Sequence, residues 1–177
     1  EHEDFALKAE GKYAKVINVI PGEIITRVSV EKVKADAGYV SSDVEHDILK
    51  IAVIERHMAS GRIAKALVKG FGLKKGAIAS SVSHDSHNIV VIGTHDGDMY
   101  TAAVQVVKMQ GGIVAALNGQ VLEALPLPVA GLMSDRSSDF VREKLKRLGE
   151  AAKMLGSKLS DPFMAMAFLT LPPIPEL

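Results

Sequence analysis

His84 and His87 stand with Asp85, Ser86 and Asn88 directly ahead of the apolar run Ile89-Val90-Val91-Ile92. Two imidazoles, a carboxylate, a hydroxyl and an amide in one consecutive run can read donors and acceptors on a polar heterocycle, move protons, or begin a metal shell. Their spacing leaves the choice open. Histidines three apart on an extended strand point to opposite faces, whereas a turn brings both to one side. A metal site needs a third ligand, and Asp85, His95 and Asp96 are the nearby candidates. A Ser83-His84-Asp85 triad is excluded, because triad members converge from separated positions and consecutive residues cannot make both required contacts. The plain alternative is that Asp85, Ser86 and Asn88 only cap a turn.

A second group, Glu55-Arg56-His57, follows the apolar stretch 47–54. It either lines the same pocket or forms an internal Glu55-Arg56 pair at the surface. KGFGLKKG at 69–76 is glycine-rich but lacks the Gly-Lys-Ser/Thr ending of a phosphate loop, so phosphate binding is rejected. The methionines are most simply core filler or interface.

The elements that must position these groups are legible as patterns. Residues 15–20 and 24–33 read as strands around Pro21-Gly22, and 47–54 and 89–92 read as buried strands bounded by polar clusters. Glycines 61, 70, 72 and 76 punctuate two further short candidates. Asp96 and Asp98 offer N-caps for an amphipathic helix that Gly111-Gly112 stops, and Asn118-Gly119 joins strands 113–117 and 120–125 as a hairpin. Residues 135–155 carry apolar groups at helical spacing up to Gly156. An apolar, proline-ended tail follows, in which Pro172, Pro173 and Pro175 suggest an extended departure from the core. Many short strands and two main helices predict an α+β layered domain of mostly antiparallel sheet over residues 1–177.

Composition narrows function. The 177 residues are 47% hydrophobic and balance 21 basic against 21 acidic groups, which leaves no basic field for nucleic acid. Without cysteine there is no disulfide framework, thiolate zinc site or thiol nucleophile, and a cytoplasmic location is expected. No apolar run approaches the roughly 20 residues of a membrane span.

Four stretches together resemble the C-terminal domain of the adenine deaminases of the metal-dependent amidohydrolase superfamily: DILKIAVIERH at 47–57, VKGFGLKKGAIASSVSHDSHNIVVIGTHDGDM at 68–99, LPLPVAGLMSD at 125–135 and PFMAMAFLTLPPIPEL at 162–177. Order and spacing agree from about residue 15 to the end. The chain departs from the family at MASGRIAKA, 58–66, where a more glycine-rich stretch is usual, and at Pro173, where an aliphatic residue is usual. The resemblance implies a part in hydrolysing adenine to hypoxanthine and ammonia. It also implies a divalent metal, manganese, iron or zinc, held in a (β/α)₈ barrel domain, with none expected in this chain. Such a barrel takes about 250 residues and begins with a His-x-His pair, and this sequence has neither. With no initiating Met and a stop at PPIPEL, the chain is expected to be a fragment that does not itself deaminate adenine. The implied substrate-proximal residues are His84, Asp85, Ser86, His87 and Asn88, with Glu55 and His57 beside them. The implied partners are the barrel domain, adenine or hypoxanthine, and further copies in a homo-oligomer, supported by an exposed apolar patch at 163–171. Alternatives are a non-catalytic purine-binding or oligomerisation module, and a self-contained metallohydrolase using His84, His87 and His95.

Overall fold

A computed structural model describes residues 2–171, so Pro172, Pro173 and Pro175, with the extended departure expected of them, lie outside the described residues. The strands are β1 (Tyr13–Val19), β2 (Thr26–Lys32), β3 (Lys34–Asp36), β4 (Tyr39–Ser41), β5 (Leu49–Ile54), β6 (Ile63–Lys69), β7 (Ala77–Ser80), β8 (Ile89–Gly93), β9 (Gly112–Leu117) and β10 (Gln120–Pro126). The helices are α1 (Asp96–Lys108), α2 (Ser138–Leu155) and α3 (Pro162–Phe168). Among the described residues, β3 and β4 make a small hairpin and the other strands form one sheet of order β10-β9-β7-β8-β5-β6-β1-β2. Every pair in that sheet is antiparallel except β1 with β6.

β8 shows why this sequence forms this sheet. Its residues are all buried, and their alternation feeds two separate cores. Val90 and Ile92 pack with Leu148, Leu155, Phe163 and Met166 from α2 and α3, while Ile89 and Val91 pack with Met99, Ala102 and Val106 from α1. A strand covered on both sides must be apolar at every position, and each Val or Ile so buried contributes roughly 1.5–3 kcal/mol. The layers are therefore helix, sheet, helix, an arrangement consistent with the expected α+β layered domain.

The expected turns hold. Asn118 and Gly119 take φ of 53° and 73°, the left-handed pair that a two-residue hairpin needs. Ser137 caps α2 by accepting the Phe140 N–H at 3.4 Å, and Gly156 closes it at φ 114°. The glycine-rich loop after β6 is also settled: Asp47 accepts the Gly70 and Gly72 N–H groups at 2.9 and 2.7 Å, so its amides are already taken by a carboxylate of the same chain.

The tail holds an element that periodicity did not reveal. Residues 162–168 form a third helix, capped by Asp161, which accepts the Met164 N–H at 2.9 Å, with Pro162 in its first turn. Phe163, Met166, Ala167 and Leu169 are buried in the core on the α2 side, which removes most of the expected exposed patch at 163–171. Ser-Asp-Pro ahead of an apolar run is the start signal that identifies such a helix in a sequence.

Candidate functional site

Antiparallel register brings the two polar groups together. Ile54 at the end of β5 pairs with Ile89 at the start of β8, so Glu55-Arg56-His57 leaves the sheet at the end where His84-Asn88 arrives. The loop is a closed turn. The His87 N–H donates to the Ser83 carbonyl at 2.7 Å, and His87 itself takes φ 50°. The turn puts the two histidines on one side, with ring centroids 6.4 Å apart and nearly perpendicular planes. The His84 ring also lies against Phe168 at 5.2 Å.

Both flanks of the loop are fastened. On the α3 side, His84 N–H donates to the Ala167 carbonyl at 3.0 Å and Thr170 Oγ1 donates to the His84 carbonyl at 3.0 Å. The buried Ser83 hydroxyl meets the same Thr170 oxygen at 2.6 Å, so Ser83 is a structural group rather than a nucleophile. On the β5 side, His57 Nε2 donates to the Ser86 carbonyl at 2.7 Å, which fixes the proton on that nitrogen. Arg56 Nε donates to the His87 carbonyl at 2.7 Å, and the Arg56 N–H reaches Asn88 Oδ1 at 3.4 Å.

The residues indicated by the sequence therefore separate by role. Glu55 does not pair with Arg56. Its carboxylate accepts the N–H groups of His57, Met58 and Ser60 at 2.5, 2.7 and 3.1 Å, and the Ser60 hydroxyl at 2.8 Å. Those bonds, led by the Met58 N–H, hold its pKa down at about 2. His57 is committed to the Ser86 carbonyl. His84 and His87 are half-buried, and Asp85 is exposed with its carboxylate unbonded among the described residues. His87 Nδ1 is the anomaly: it is buried and has no hydrogen-bond partner among the described residues. Ser86 and Asn88, with Thr170, form the polar rim of a cleft of about 450 Å³ floored by Ile17, Ile51, Val53 and Ala66 of the sheet.

A larger depression of about 730 Å³ lies between the N-terminal turn and Lys65. It offers no free chemistry comparable to the loop, since Lys65 donates to the Ala6 carbonyl and Asp96 is paired with Lys50.

No metal centre of the proposed kind assembles. His95 is the residue ahead of α1, at the opposite end of β8 from His84 and His87, so a His84-His87-His95 set is not brought together and the self-contained metallohydrolase loses its ligands. Among the described residues, the one convergent group of histidine and carboxylates is Asp43, Glu45 and His46, away from the loop. Lys34 Nζ already sits 2.9 Å from Asp43 Oδ1 and 3.6 Å from Glu45, supplying the cation that this cluster requires. Among the described residues, none beside the turn assembles the ligand set of a catalytic divalent metal. No helix among the described residues is long and apolar enough to cross a membrane.

Two features were missed by sequence reasoning: the contact of α3 with the loop through Ala167 and Thr170, and the engagement of Arg56 with backbone carbonyls. Neither leaves a local signal, because both depend on elements far apart in sequence.

The architecture defines a helix-sheet-helix domain presenting one histidine-bearing turn beside a cleft on its sheet. By sequence, the family model described as "Adenine deaminase C-terminal domain" matches residues 23–177, and the chain belongs to that family. Among relatives, it is 48% identical over 174 residues to an adenine deaminase of Dehalococcoides mccartyi strain 195, covering 98% of this chain and 30% of that protein. It is 50% identical over 174 residues to an adenine deaminase of Desulfatibacillum aliphaticivorans, covering 98% and 31%, and 47% identical over 174 residues to one of Brucella abortus, covering 98% and 30%. The chain thus spans about 30% of the length of these relatives.

Proposed function

We propose that this chain serves the hydrolytic deamination of adenine to hypoxanthine and ammonia, as the C-terminal part of an adenine deaminase whose metal and bond-breaking groups lie in the remaining length of the enzyme. Its own contribution is a wall of the site. The His84-Asn88 turn faces the barrel domain, where His84, His87 and Asp85 can hydrogen-bond the purine or help exclude bulk water. The observation that carries this reading is the His87 Nδ1 atom. A buried nitrogen without a partner costs stability, roughly 1–3 kcal/mol, and a fold keeps such an atom where a ligand or a neighbouring domain satisfies it. The donor set points the same way: two imidazoles and a carboxylate stand together in one turn at one end of the sheet.

His87→Ala in the full-length enzyme tests the proposal. The expected result is a fall of roughly ten- to a hundredfold in kcat/KM for adenine, the range for one positioned polar contact, with the melting temperature held within a few degrees. Unchanged kinetics would reduce the turn to a structural element.

A further inference from the structure

Arg56 joins the histidine turn to two loops far from it in sequence. Its Nε donates to the His87 carbonyl at 2.7 Å, Nη2 to the Ala130 carbonyl at 2.5 Å and Nη1 to the Gln110 carbonyl at 3.4 Å. All three residues supplying those carbonyls have left-handed backbone, with φ of 50° at His87, 57° at Ala130 and 61° at Gln110. Non-glycine residues avoid that region because Cβ crowds the carbonyl, so each of these conformations has to be held by its surroundings. A guanidinium suits the task, since its N–H groups diverge in one rigid plane and can bind several carbonyls at fixed angles.

The two distant loops form a stiff base for the arginine. Ser81 Oγ donates to the Gly131 carbonyl at 2.6 Å and accepts the Gly112 N–H at 2.8 Å. A Cβ added to Gly111 would fall 2.3 Å from Gly131 Cα, so the two backbones are in direct contact. A Cβ on Gly131 would fall 2.5 Å from both Nη1 and Nη2, so the guanidinium fills the space that a side chain at 131 would need.

Resting on the function proposed above, we infer that Arg56 is the positioning residue of the site: its guanidinium fixes the left-handed backbone at His87, and through it the His87 ring, against the Gln110 and Ala130 loops. Arg56 touches no substrate. It acts by holding the carbonyl of the residue whose ring does.

The test has two arms. In nuclear magnetic resonance spectra of the 177-residue chain, Arg56→Gln and Arg56→Lys are expected to shift the ring signals of His84 and His87 and the amides of Gln110 and Ala130. Exchange of the His87 amide should accelerate by on the order of tenfold, with the amides of α1 unchanged. Gly131→Ala, which displaces the guanidinium while leaving Arg56 in place, should produce the same shifts and serves if the arginine variants fold poorly. Shifts confined to the sequence neighbours of the substituted residue, or a lysine variant that matches the parent spectrum, would overturn the inference. In the second arm, the full-length Arg56→Gln enzyme should lose roughly ten- to a hundredfold in kcat/KM for adenine. If the turn moves and the kinetics do not, the role of Arg56 stands and the substrate-wall function fails.

Discussion

At Glu55, one carboxylate gathers the N–H groups of His57, Met58 and Ser60 and orders the 57–60 loop. Its pKa of about 2 lies below the ordinary 4.5, so the contribution of the ionised form is complete above pH 4.5 and is lost as pH falls toward 2. Amide exchange at Met58 and Ser60 is therefore expected to be protected to the same extent at pH 7 and pH 5, after correction for intrinsic exchange, and to lose protection only below about pH 4. Loss of protection near pH 6 would show that a different group orders the loop. Asp43 behaves alike: burial pushes its carboxyl up, but hydrogen bonds from Lys34 and His46 outweigh this and hold it at about 2. At this scale the sequence was half legible. The polar types at 55–57 and 84–88 mark the chemistry, and the turn that unites His84 with His87 is one of the two geometries their spacing allows. The partners of Glu55, Arg56 and His57 are backbone groups, which residue types do not encode, so the Glu55-Arg56 pair suggested by adjacency does not form.

Among the elements, α3 decides whether the turn is held. A helix of 7 residues is too short to persist alone, and its order comes from packing Phe163 and Met166 into the core. Met166→Ala is expected to cost about 2–4 kcal/mol in chemical denaturation and to loosen the turn, because Ala167 and Thr170 leave their positions on the His84 backbone. Asp161→Ala removes only the cap and should cost about 1 kcal/mol. A full loss of stability without change at the His84 amide would separate helix from turn and contradict this coupling. The opposite end of the sheet offers a contrasting case. Lys50, 7% exposed, places Nζ 2.8 Å from Asp96 Oδ1 at the start of α1. Asp96→Ala strands a buried ammonium and should cost about 3 kcal/mol, whereas Lys50→Met leaves a carboxylate that is 28% exposed at the start of α1, where water and the helix N-terminus can stabilise it, and should cost less. Equal costs for the two would contradict the desolvation argument. Most strands and both long helices could be read from periodicity and turn residues, although α1 is preceded by His95 with no side-chain cap rather than capped by Asp96 or Asp98, and the short β3-β4 hairpin left no pattern. Strand order could not, since the pairing of Ile54 with Ile89 that gathers the site is a choice among registers made by the whole core.

For the molecule as a whole, the sheet and its two helical layers decide which side chains the domain can present. The sheet fixes one end of β5 and β8, α3 and Arg56 fasten the turn to it, and the turn holds its two half-buried histidines beside a cleft. That arrangement is what the proposed role as a wall of the active site rests on. The most direct measurement is ammonia release from adenine, with metal content, for the 177-residue chain and for the full-length enzyme side by side. Turnover with stoichiometric divalent metal in the full-length enzyme, and neither in the isolated chain, is the expected result. An isolated chain that binds a stoichiometric metal and releases ammonia would contradict it.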